Sequence, residues 1–355
     1  MKILKKIYNL LKKVIINIVC LRYLFNEEKT SKSNLGFIKK IKYLTKGFSS
    51  EKYYLYNFKE NNHRKYLSDY QRQKTYKINN KYSIVIDDKI LFEKIFKNDK
   101  LTPINYGTIE KGIIQIENQR KTIDSFINFI KEKSQIIIKK KSGGGGKGIF
   151  KVSCLNDKFY IDDSVIDCEE LKKLIYKLDN SIIQEHIIQA EYSNDIYSGT
   201  VNTIRILTMR DPDTKEAFIA TAVHKFGSER TKPVDNVWNG GMTALVDLET
   251  GTLQKSAYHH ENNKVISWQE NHPDTNKKIE GITIPNWDKV KESIIKLTDD
   301  LSFLHYVGWD VVVTDNGVKV IEGNNYSDVN ILQIHEPLLK NDKIKKFYRY
   351  HNIIK

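Results

Sequence analysis

The chain has 355 residues, is 40% hydrophobic and carries a formal net charge of +14. This length allows two or three packed subdomains with a sizeable core. Cys20, Cys154 and Cys168 lack a metal-binding spacing, which argues against a cysteine-based metal site and favours reduced thiols in the cytoplasm. The basic balance favours an anionic partner, and a nucleotide, a phospholipid surface and an acidic polymer all stay open.

The first predicted element is an amphipathic helix over residues 1–25. Apolar residues recur at helical spacing on one side and lysines occupy the other, namely Ile3, Leu4, Ile7, Leu10, Leu11, Val14, Ile15 and Ile18 against Lys2, Lys5, Lys6, Lys12 and Lys13. Such a helix suits an anionic membrane surface or a docked position on its own protein. The uncharged apolar run over residues 14–21 is shorter than the roughly 20 residues that a membrane span needs.

Short helices held together by tyrosines are predicted over residues 26–80. We then expect a short strand over Ser83–Ile86 that runs into a helix. The next predicted elements are a helix over residues 122–133, a hairpin that turns at Asn156–Asp157, a helix over 168–178 and a strand over 181–187.

The second half of the chain alternates hairpins with one long helix. Long strands are predicted over residues 200–210 and 216–226, a hairpin over 242–254, a helix over 287–307 and a final hairpin over 308–325. Antiparallel hairpins outnumber βαβ units, so the sequence indicates an α+β protein.

The stretch "KKKSGGGGKGIF" places a glycine-rich loop between two predicted strands. Glycines let backbone amides approach phosphate oxygens, and lysines supply the matching charge. Because Gly148 leads into a strand rather than a helix, the stretch is not a Walker A loop. A flap over a polyphosphate and a plain surface loop both fit the pattern.

The final hairpin offers two carboxylates on one face. With Asp315–Gly317 as a three-residue turn, the opposed pairs become Thr314 with Val318, Val312 with Val320, and Asp310 with Glu322. Asn324 continues the same face, and this oxygen-rich set suits Mg²⁺. An exposed rim of ordinary charges is the alternative, and the valines that we expect on this face argue against it.

These features, in this order over residues 85–335, resemble the ATP-grasp superfamily. The stretches "YNFKENNHRKYLSD", "NTIRILT", "VDNVWNGGMTALVDLETG" and "GWDVVVTDNGVKVIEGNN" resemble its sugar-transfer-associated branch, which is met near polysaccharide biosynthesis. The resemblance implies an α+β ATP-grasp fold that holds the nucleotide between two α+β subdomains, after a helical, basic N-terminal region. The implied segments are an amphipathic helix over 1–25, a helical/αβ region over 26–105, a flap subdomain over 106–190, a metal and substrate subdomain over 191–340 and a C-terminal tail over 341–355.

The resemblance also implies ATP and Mg²⁺ or Mn²⁺ as cofactors, with a role for each matched residue. The nucleotide would contact Lys89, Lys139, Ser142, Gly143, Gly144, Gly145, Gly146, Lys147, Gln184, Glu185, His186, Ile187 and Glu191. Backbone groups of Gln184–Ile187 would hold adenine and Glu191 would hold the ribose. The metal ligands would be Asp310, Glu322 and Asn324.

The implied catalytic residues are Arg205, Lys225 and Asn239. Arg205 and Lys225 would face the γ-phosphate and the acyl intermediate, and Asn239 lies in a glycine loop near that site. Lys140 stands where proline is usual. Gly308 stands where many ligases of the superfamily have an arginine, whose charge Arg205 could replace.

The implied reaction is ATP-driven ligation of a carboxylate to an amine, acting on a cell-surface polysaccharide or its precursor. A sugar or small-molecule kinase is a second hypothesis, and a non-catalytic basic module that binds membrane or nucleic acid is a third. For the third, residues 40–76 interleave aromatic and basic side chains, but we expect those tyrosines to pack between domains and expect no nucleic-acid partner. We expect a cytoplasmic protein with peripheral contact at the inner face of the membrane through residues 1–25.

Overall fold

The computed structural model describes residues 2–96, 101–141, 148–259 and 266–355, with the backbone alone for residues 2–9 and 13. It contains two antiparallel sheets flanked by helices, which confirms the predicted α+β class. The helices are α1 Lys2–Thr30, α2 Phe37–Leu44, α3 Lys52–Leu55, α4 Asp69–Thr75, α5 Ile84–Asp87, α6 Lys89–Phe96, α7 Ile123–Lys133, α8 Cys168–Lys177, α9 Glu191–Ile196, α10 Trp287–Asp300, α11 Asn330–Gln333 and α12 Asp342–Tyr350.

The first sheet has eight strands in the order β3-β2-β1-β8-β4-β5-β6-β7. They are β1 Asn105–Glu110, β2 Ile113–Ile116, β3 Gln119–Lys121, β4 Gln135–Lys140, β5 Phe150–Leu155, β6 Lys158–Ile161, β7 Ser164–Ile166 and β8 Ser181–Glu185. Helices α7 and α8 bury their apolar faces against it. The predicted turn at Asn156–Asp157 is confirmed, since both residues have a positive φ between the paired Leu155 and Lys158.

The second sheet has seven strands in the order β13-β12-β11-β10-β9-β14-β15. They are β9 Ile204–Arg210, β10 Ala217–Phe226, β11 Met242–Val246, β12 Leu253–His259, β13 Ile266–Gln269, β14 Tyr306–Thr314 and β15 Gly317–Asn324. Helix α10 covers one face of this sheet and α12 covers the other. Every residue of β9 is buried, which makes this central strand a rigid support for side chains that point away from both cores.

The strand predicted over Ser83–Ile86 is wrong. Ser83 ends a 3₁₀ turn and Ile84–Asp87 forms α5. Ile86 is buried against β15, where a side chain at Gly323 would meet the Ile86 Cγ2 atom at 3.0 Å. A helical turn places Ile86 in that gap, so tertiary packing overrides the short β-branched pattern.

The helix predicted over residues 287–307 ends at Asp300, and β14 begins at Tyr306. The Arg210 side chain binds the end of α10, since its Nη2 donates to the Thr298 carbonyl at 2.6 Å and its Nη1 to the Asp299 carboxylate at 2.9 Å. A cation on the last carbonyls is a common way to stop a helix.

The turn of the final hairpin is shorter than predicted. Thr314 pairs with Gly317 rather than with Val318, which leaves a two-residue turn, Asp315 and Asn316. A register counted from that turn alone would not bring the two carboxylates together.

A β-bulge restores the predicted opposition of Asp310 and Glu322. Val311 pairs with Val320 while Asp310 pairs with Glu322, so Ile321 is an extra residue on β15. At a bulge the two residues on the longer strand face one partner. Ile321 and Glu322 accordingly line the same cavity.

The valines of β15 are not on the carboxylate face, which corrects the expectation. Val318 and Val320 pack into the core beneath α10. Val312 is the buried neighbour of Asp310 on the cavity face, and Lys319 lies opposite it.

The N-terminal helices confirm the prediction for residues 26–80. Tyr43, Tyr56 and Tyr66 are buried in one aromatic cluster, with the Tyr56 and Tyr66 rings stacked 4.6 Å apart. Helix α1 continues past the predicted limit of residue 25 to Thr30. Among the described residues, no helix combines the length and apolar character needed to cross a membrane.

Candidate active site

A cavity of about 390 Å³ opens between the two sheets, and we call it the central cavity. Strands β4 and β8 of the first sheet form one wall, and β9, β10, β14 and β15 of the second sheet form the other. Its polar lining includes residues from all three predicted sets, the nucleotide contacts, the catalytic residues and the metal ligands, namely Lys89, Lys139, Gln184, Glu185, Arg205, Lys225, Asp310, Glu322 and Asn324.

Arg205 and Asp310 form a buried ion pair at the base of the central cavity. Arg205 Nε lies 2.7 Å from Asp310 Oδ1, and Nη2 lies 2.9 Å from Oδ2. Burial alone would raise the pKa of Asp310, but the Arg205 guanidinium and the Lys225 ammonium outweigh it and lower that pKa. Burial likewise opposes the charge of Arg205, but Asp310 outweighs it and raises the pKa of Arg205. Both groups therefore stay ionised.

Lys225 bridges Asp310 and a second acid, Asp235. Its Nζ lies 3.5 Å from Asp310 Oδ1 and 3.4 Å from Asp235 Oδ1. Asp235 Oδ2 accepts from the Thr203 backbone N–H at 2.9 Å and from the Thr203 hydroxyl at 2.6 Å. This network fixes the ammonium within the cavity.

The glycine at position 308 has a steric explanation. Strand pairing places Gly308 opposite Leu207, with Arg205 two residues away on β9. A Cβ atom at Gly308 would lie 2.3 Å from Ser327 Oγ and 3.3 Å from Arg205 Cδ. The space for a side chain is therefore already filled, partly by Arg205 itself.

Lys89 and Lys139 bring positive charge to the cavity from two different elements. Lys139 is buried at the end of β4, and Lys89 begins α6, whose first turn is capped by Asp88. Burial lowers the pKa of Lys139 to about 8, against the attraction of Glu322 and with the added repulsion of Lys89. Lys89 Nζ lies 3.8 Å from Glu322 Oε2.

The "QEHI" stretch forms the end of β8 and the turn after it. Gln184, Glu185 and Ile187 line the central cavity. Glu185 joins the two sheets, because its Oε2 accepts from the Ile104 N–H at 2.9 Å and lies 3.4 Å from Lys319 Nζ of β15. This stretch therefore lies at the junction of the two sheets.

Three predicted residues do not line the central cavity. His186 is half-buried beside it, and burial lowers its pKa. Glu191 is exposed at the start of α9 and Asn239 is exposed in the 3₁₀ turn before Gly240, where Asn236 faces the cavity instead. The predicted flap residues, Ser142, Gly143, Gly144, Gly145, Gly146 and Lys147, lie outside the described residues.

The oxygen atoms of Asp310, Glu322 and Asn324 suit a hard divalent cation, but Arg205 competes for those of Asp310. Glu322 and Asn324 are half-buried, and the Asn324 amide nitrogen lies 3.4 Å from Glu322 Oε1 and 3.2 Å from the Gly308 carbonyl. This orientation leaves Asn324 Oδ1 without a donor among the described residues. Both Asp310 oxygens accept from Arg205, so a cation would have to share one of them. The described part of the chain holds no cluster of three His, Cys, Asp or Glu side chains arranged for a metal.

Family comparison decides which kind of protein carries this site. A sequence model described as sugar-transfer associated ATP-grasp matches residues 69–346. The chain belongs to this family. The ATP-grasp fold predicted from the sequence is therefore confirmed. The match begins at the first residue of α4 and includes every strand of both sheets.

Solved structures similar to this ATP-grasp protein are distant. D-alanine–D-alanine ligase from Bacillus anthracis is 13% identical with a TM-score of 0.37, over 76% of this chain and 69% of that one. D-alanyl-alanine synthetase A from Vibrio cholerae is 9% identical with a TM-score of 0.43, over 75% of this chain and 66% of that one. The ATP-grasp ligase PsnB, solved with a minimal precursor, Mg and ADP, is 12% identical with a TM-score of 0.34, over 73% and 60%. No curated protein matches the chain.

The structure of this ATP-grasp protein adds cavity residues that sequence reasoning missed. Ile321 was hidden because strict alternation does not allow for a bulge. Asp235 and Trp238 lie in the "VDNVWNGG" stretch, which had been used only for the resemblance. Tyr326 and Asp328 follow the final hairpin, and no spacing rule identifies them.

Three of these residues form one side of the cavity, which we call the Asp328 wall: Trp238, Tyr326 and Asp328. Trp238 Nε1 donates to Asp328 Oδ2 at 2.7 Å. Behind the wall, Arg72 places its guanidinium 4.3 Å from the Tyr326 ring centroid and its Nη1 3.4 Å from Asp328 Oδ1. Burial favours the neutral acid, but Arg72 outweighs it and lowers the pKa of Asp328.

Among the described residues, no histidine lines the cavity. His224 Nε2 lies 2.9 Å from the Tyr192 hydroxyl, His335 Nε2 lies 2.9 Å from the Thr243 hydroxyl, and burial lowers the pKa of each imidazole to about 3. Both are therefore neutral near pH 7, and we assign them structural roles.

Proposed function

We propose that this protein is an ATP-dependent carboxylate–amine ligase that forms an amide through an acyl phosphate. The observation that supports it is one cavity that collects four cations and three oxygen ligands, namely Lys89, Lys139, Arg205 and Lys225 with Asp310, Glu322 and Asn324. Membership of the ATP-grasp family supports ATP as a substrate.

Apolar and polar residues divide the cavity in a way that suits a nucleotide. Ile137 from the first sheet and Ile321 from the second offer apolar surface to a base, with the backbone of Gln184–Ile187 at its edge. Lys89 and Lys139 would hold the phosphates. In this proposal the glycine flap, residues 142–148, covers them and excludes water.

Mg²⁺ or Mn²⁺ would be held by Asp310, Glu322 and Asn324. When bound, such a cation neutralises charge on the phosphate oxygens. Arg205 and Lys225 lie beside these ligands and would stabilise the negative charge that builds during phosphoryl transfer.

The reaction balances in two steps. A substrate carboxylate oxygen attacks the γ-phosphorus, the bond to the β-γ bridging oxygen breaks, and ADP leaves behind an acyl phosphate. An amine then attacks the acyl carbon, the bond to the phosphate oxygen breaks, and inorganic phosphate and a proton are released. Neither step requires a nucleophilic side chain, which agrees with the described lining of the cavity, where charged side chains occur and cysteine and serine do not.

The substrate in this proposal belongs to a cell-surface polysaccharide or its precursor, as the family description suggests. The protein would act in the cytoplasm, with residues 1–25 in peripheral contact with the inner face of the membrane. That contact would bring the enzyme to sugars that are attached to lipid.

Oxygen-18 transfer tests the reaction type. Sugar acids with ¹⁸O in the carboxylate are supplied with ATP and candidate amines, and phosphate is followed by ³¹P NMR. A ligase transfers one ¹⁸O into inorganic phosphate, because the carboxylate oxygen leaves with it. A kinase would instead attach the phosphoryl group to the product and release no phosphate.

Two variants complete this test. Lys139→Ala should abolish the transfer, whereas Lys151→Ala, which changes a lysine of β5, should retain it. Amide formation without ¹⁸O in phosphate would contradict the acyl-phosphate route. Lack of turnover with every acid and amine would favour the non-catalytic alternative.

A further inference from the structure

Helix α1 is anchored to the protein by one side. Cys20 and Leu24 are buried, with 1% and 2% of their surface exposed. Asn17 accepts a hydrogen bond from the Tyr70 hydroxyl at 2.7 Å. At the C-terminal end of the helix, Glu28 accepts from the Ser50 backbone N–H at 2.6 Å. These contacts fix which side of α1 faces outward.

The outward side carries large apolar residues. The described ones recur at helical spacing, partly as adjacent pairs, and are 45–63% exposed, namely Leu10, Leu11, Val14, Ile15, Ile18, Val19, Leu21 and Phe25. The side predicted to be apolar is therefore not the side that docks on the protein, which favours the membrane alternative over the docked one.

Helix α2 carries a second set of exposed apolar residues. Phe37 and Ile38 are 76% and 83% exposed, and Ile41, one turn later, is 45% exposed. Glu28 of α1 lies 3.5 Å from Lys40 of α2, which ties the two helices together. We call the exposed apolar residues of α1 and α2 the two-helix surface.

Most of the net positive charge of the chain lies in the segment that carries this surface. Residues 1–48 contain twelve lysines and arginines against two glutamates, within a chain whose total charge is +14. Seven of these basic residues are described as exposed: Lys12, Arg22, Lys29, Lys32, Lys39, Lys42 and Lys46. The basic balance thus belongs chiefly to the N-terminal helices rather than to the central cavity.

We propose that the two-helix surface docks on an anionic lipid bilayer, with α1 and α2 lying in the plane of the interface. Apolar side chains bounded by lysines match acyl chains beneath anionic headgroups. A nucleic acid would satisfy the lysines but leave Ile15, Ile18 and Phe37 in water. The surface is separate from the central cavity, and its docking does not require the proposed ligase activity.

The docked helix also contacts the Asp328 wall. The Tyr23 hydroxyl accepts a hydrogen bond from Arg72 Nη1 at 3.3 Å, and the Tyr23 ring meets Tyr326 edge-on with centroids 6.2 Å apart. The cavity side of that wall is therefore one residue layer away from α1. If the proposed function holds, this arrangement favours an acceptor that is attached to lipid over one that is freely soluble.

Vesicle flotation tests the docking. The full chain is mixed with vesicles of phosphatidylcholine alone or with added phosphatidylglycerol. Wild-type protein should float only with the anionic vesicles, and high salt should weaken binding. Ile15→Glu/Ile18→Glu should lower the affinity by about a hundredfold, because each isoleucine loses a burial worth roughly tenfold or more.

A matched control and two contrary outcomes complete the test. Val165→Glu changes a side chain of β7 that is 64% exposed outside the surface, and it should float like wild type. Unchanged flotation of the double variant would overturn the proposal, as would equal binding to uncharged vesicles. A wild-type dimer that forms without vesicles and is lost in the double variant would also overturn it, because a second copy of the chain would then be the partner.

Turnover without vesicles separates the two proposals. The double variant should keep wild-type ATP use with a soluble acceptor if the ligase proposal holds. If the double variant loses flotation but keeps turnover, the docking proposal is supported. If the wild-type protein floats but shows no turnover, only the ligase proposal is contradicted.

Discussion

Arg205 holds both carboxylate oxygens of Asp310, from the strand directly beside it. A cation or a phosphate that enters the central cavity must therefore compete with this pair. A cation that takes one Asp310 oxygen would loosen the guanidinium, which could then turn to a phosphoryl oxygen. In the proposed mechanism this pair couples metal binding to phosphate binding.

Arg205→Met should lower kcat/KM by roughly 10²–10³-fold, the usual cost of losing one group that stabilises transition-state charge. It should also destabilise the fold by about 3–5 kcal/mol, because Asp310 would be buried without its main partner. Steady-state kinetics and urea unfolding would measure the two effects. Arg205→Met/Asp310→Asn should recover stability but not activity, and recovery of both would mean that the pair is only structural.

Gly308→Ala should lower activity although it adds only one methyl group. The new Cβ would lie 2.3 Å from Ser327 Oγ and 3.3 Å from Arg205 Cδ, so it must displace one of them. We expect a loss of about tenfold in kcat from the shifted guanidinium. Adding Ser327→Gly should restore part of it by removing the nearer obstacle, and a fully active Gly308→Ala would show that the position tolerates a side chain.

Lys139 should take up a proton when nucleotide binds near pH 8. Burial holds its pKa at about 8 in the unliganded protein, below its ordinary value of 10.5. Phosphate oxygens would favour the ammonium and raise that pKa. Calorimetry in buffers of different ionisation enthalpy would show an uptake that Lys139→Gln lacks, and equal uptake in both proteins would place the phosphates elsewhere.

The same lowered pKa affects stability. Between pH 8 and 10.5 the unfolded chain holds the Lys139 proton more tightly than the folded chain. The free energy of unfolding contributed by this group therefore rises with pH across that window. Denaturant titrations at several pH values should show a steeper rise for wild type than for Lys139→Gln.

Glu322→Gln should weaken Mn²⁺ binding and lower ATP use, because one charged oxygen ligand becomes a neutral amide. Electron paramagnetic resonance of Mn²⁺ in the presence of a nonhydrolysable nucleotide would measure the affinity. Glu216→Gln, in the exposed turn before β10, is the matched control and should behave like wild type. Full activity of Glu322→Gln would remove this residue from the metal site.

Tyr23→Phe should raise the KM for the acceptor while leaving the KM for ATP unchanged. The change removes the hydroxyl that accepts from Arg72 but keeps the ring against Tyr326. We expect an effect of a few-fold, less than the roughly tenfold or more that a hydrogen bond to a charged group is worth, because this bond is long at 3.3 Å and acts on the cavity only through Arg72. Equal changes in both KM values would indicate a general loss of packing.

Local patterns predicted most of the strands and the central residues of the cavity. Lys139 and Arg205 are placed by the strands that carry them, so once those strands are identified, the positions of both side chains follow. Glu191 and Asn239 were different, because both lie in segments after a strand, where one residue of slip turns a side chain outward.

Other features depended on packing that no local pattern encodes. Ile86, in the helical turn of α5, packs into the gap that Gly323 leaves on β15. The Asp328 wall depends on Arg72, which lies far away in the sequence and reaches it only through the docking of α4. The apolar side of α1 is likewise exposed because the helix packs on the protein through its other side, which carries the buried Cys20 and Leu24.

The bulge at Ile321 inverts the parity of β15. Before it, the even-numbered Val318 and Val320 face the core, and after it the even-numbered Glu322 and Asn324 face the cavity. Loss of the codon for Ile321 would restore strict alternation with the valines still in the core and both ligands still in the cavity, because Ile321 and Glu322 already face the same side. Deletion of Ile321 should therefore be less harmful than replacing either ligand, and an alignment that places its gap elsewhere in this strand would exchange core and active-site positions.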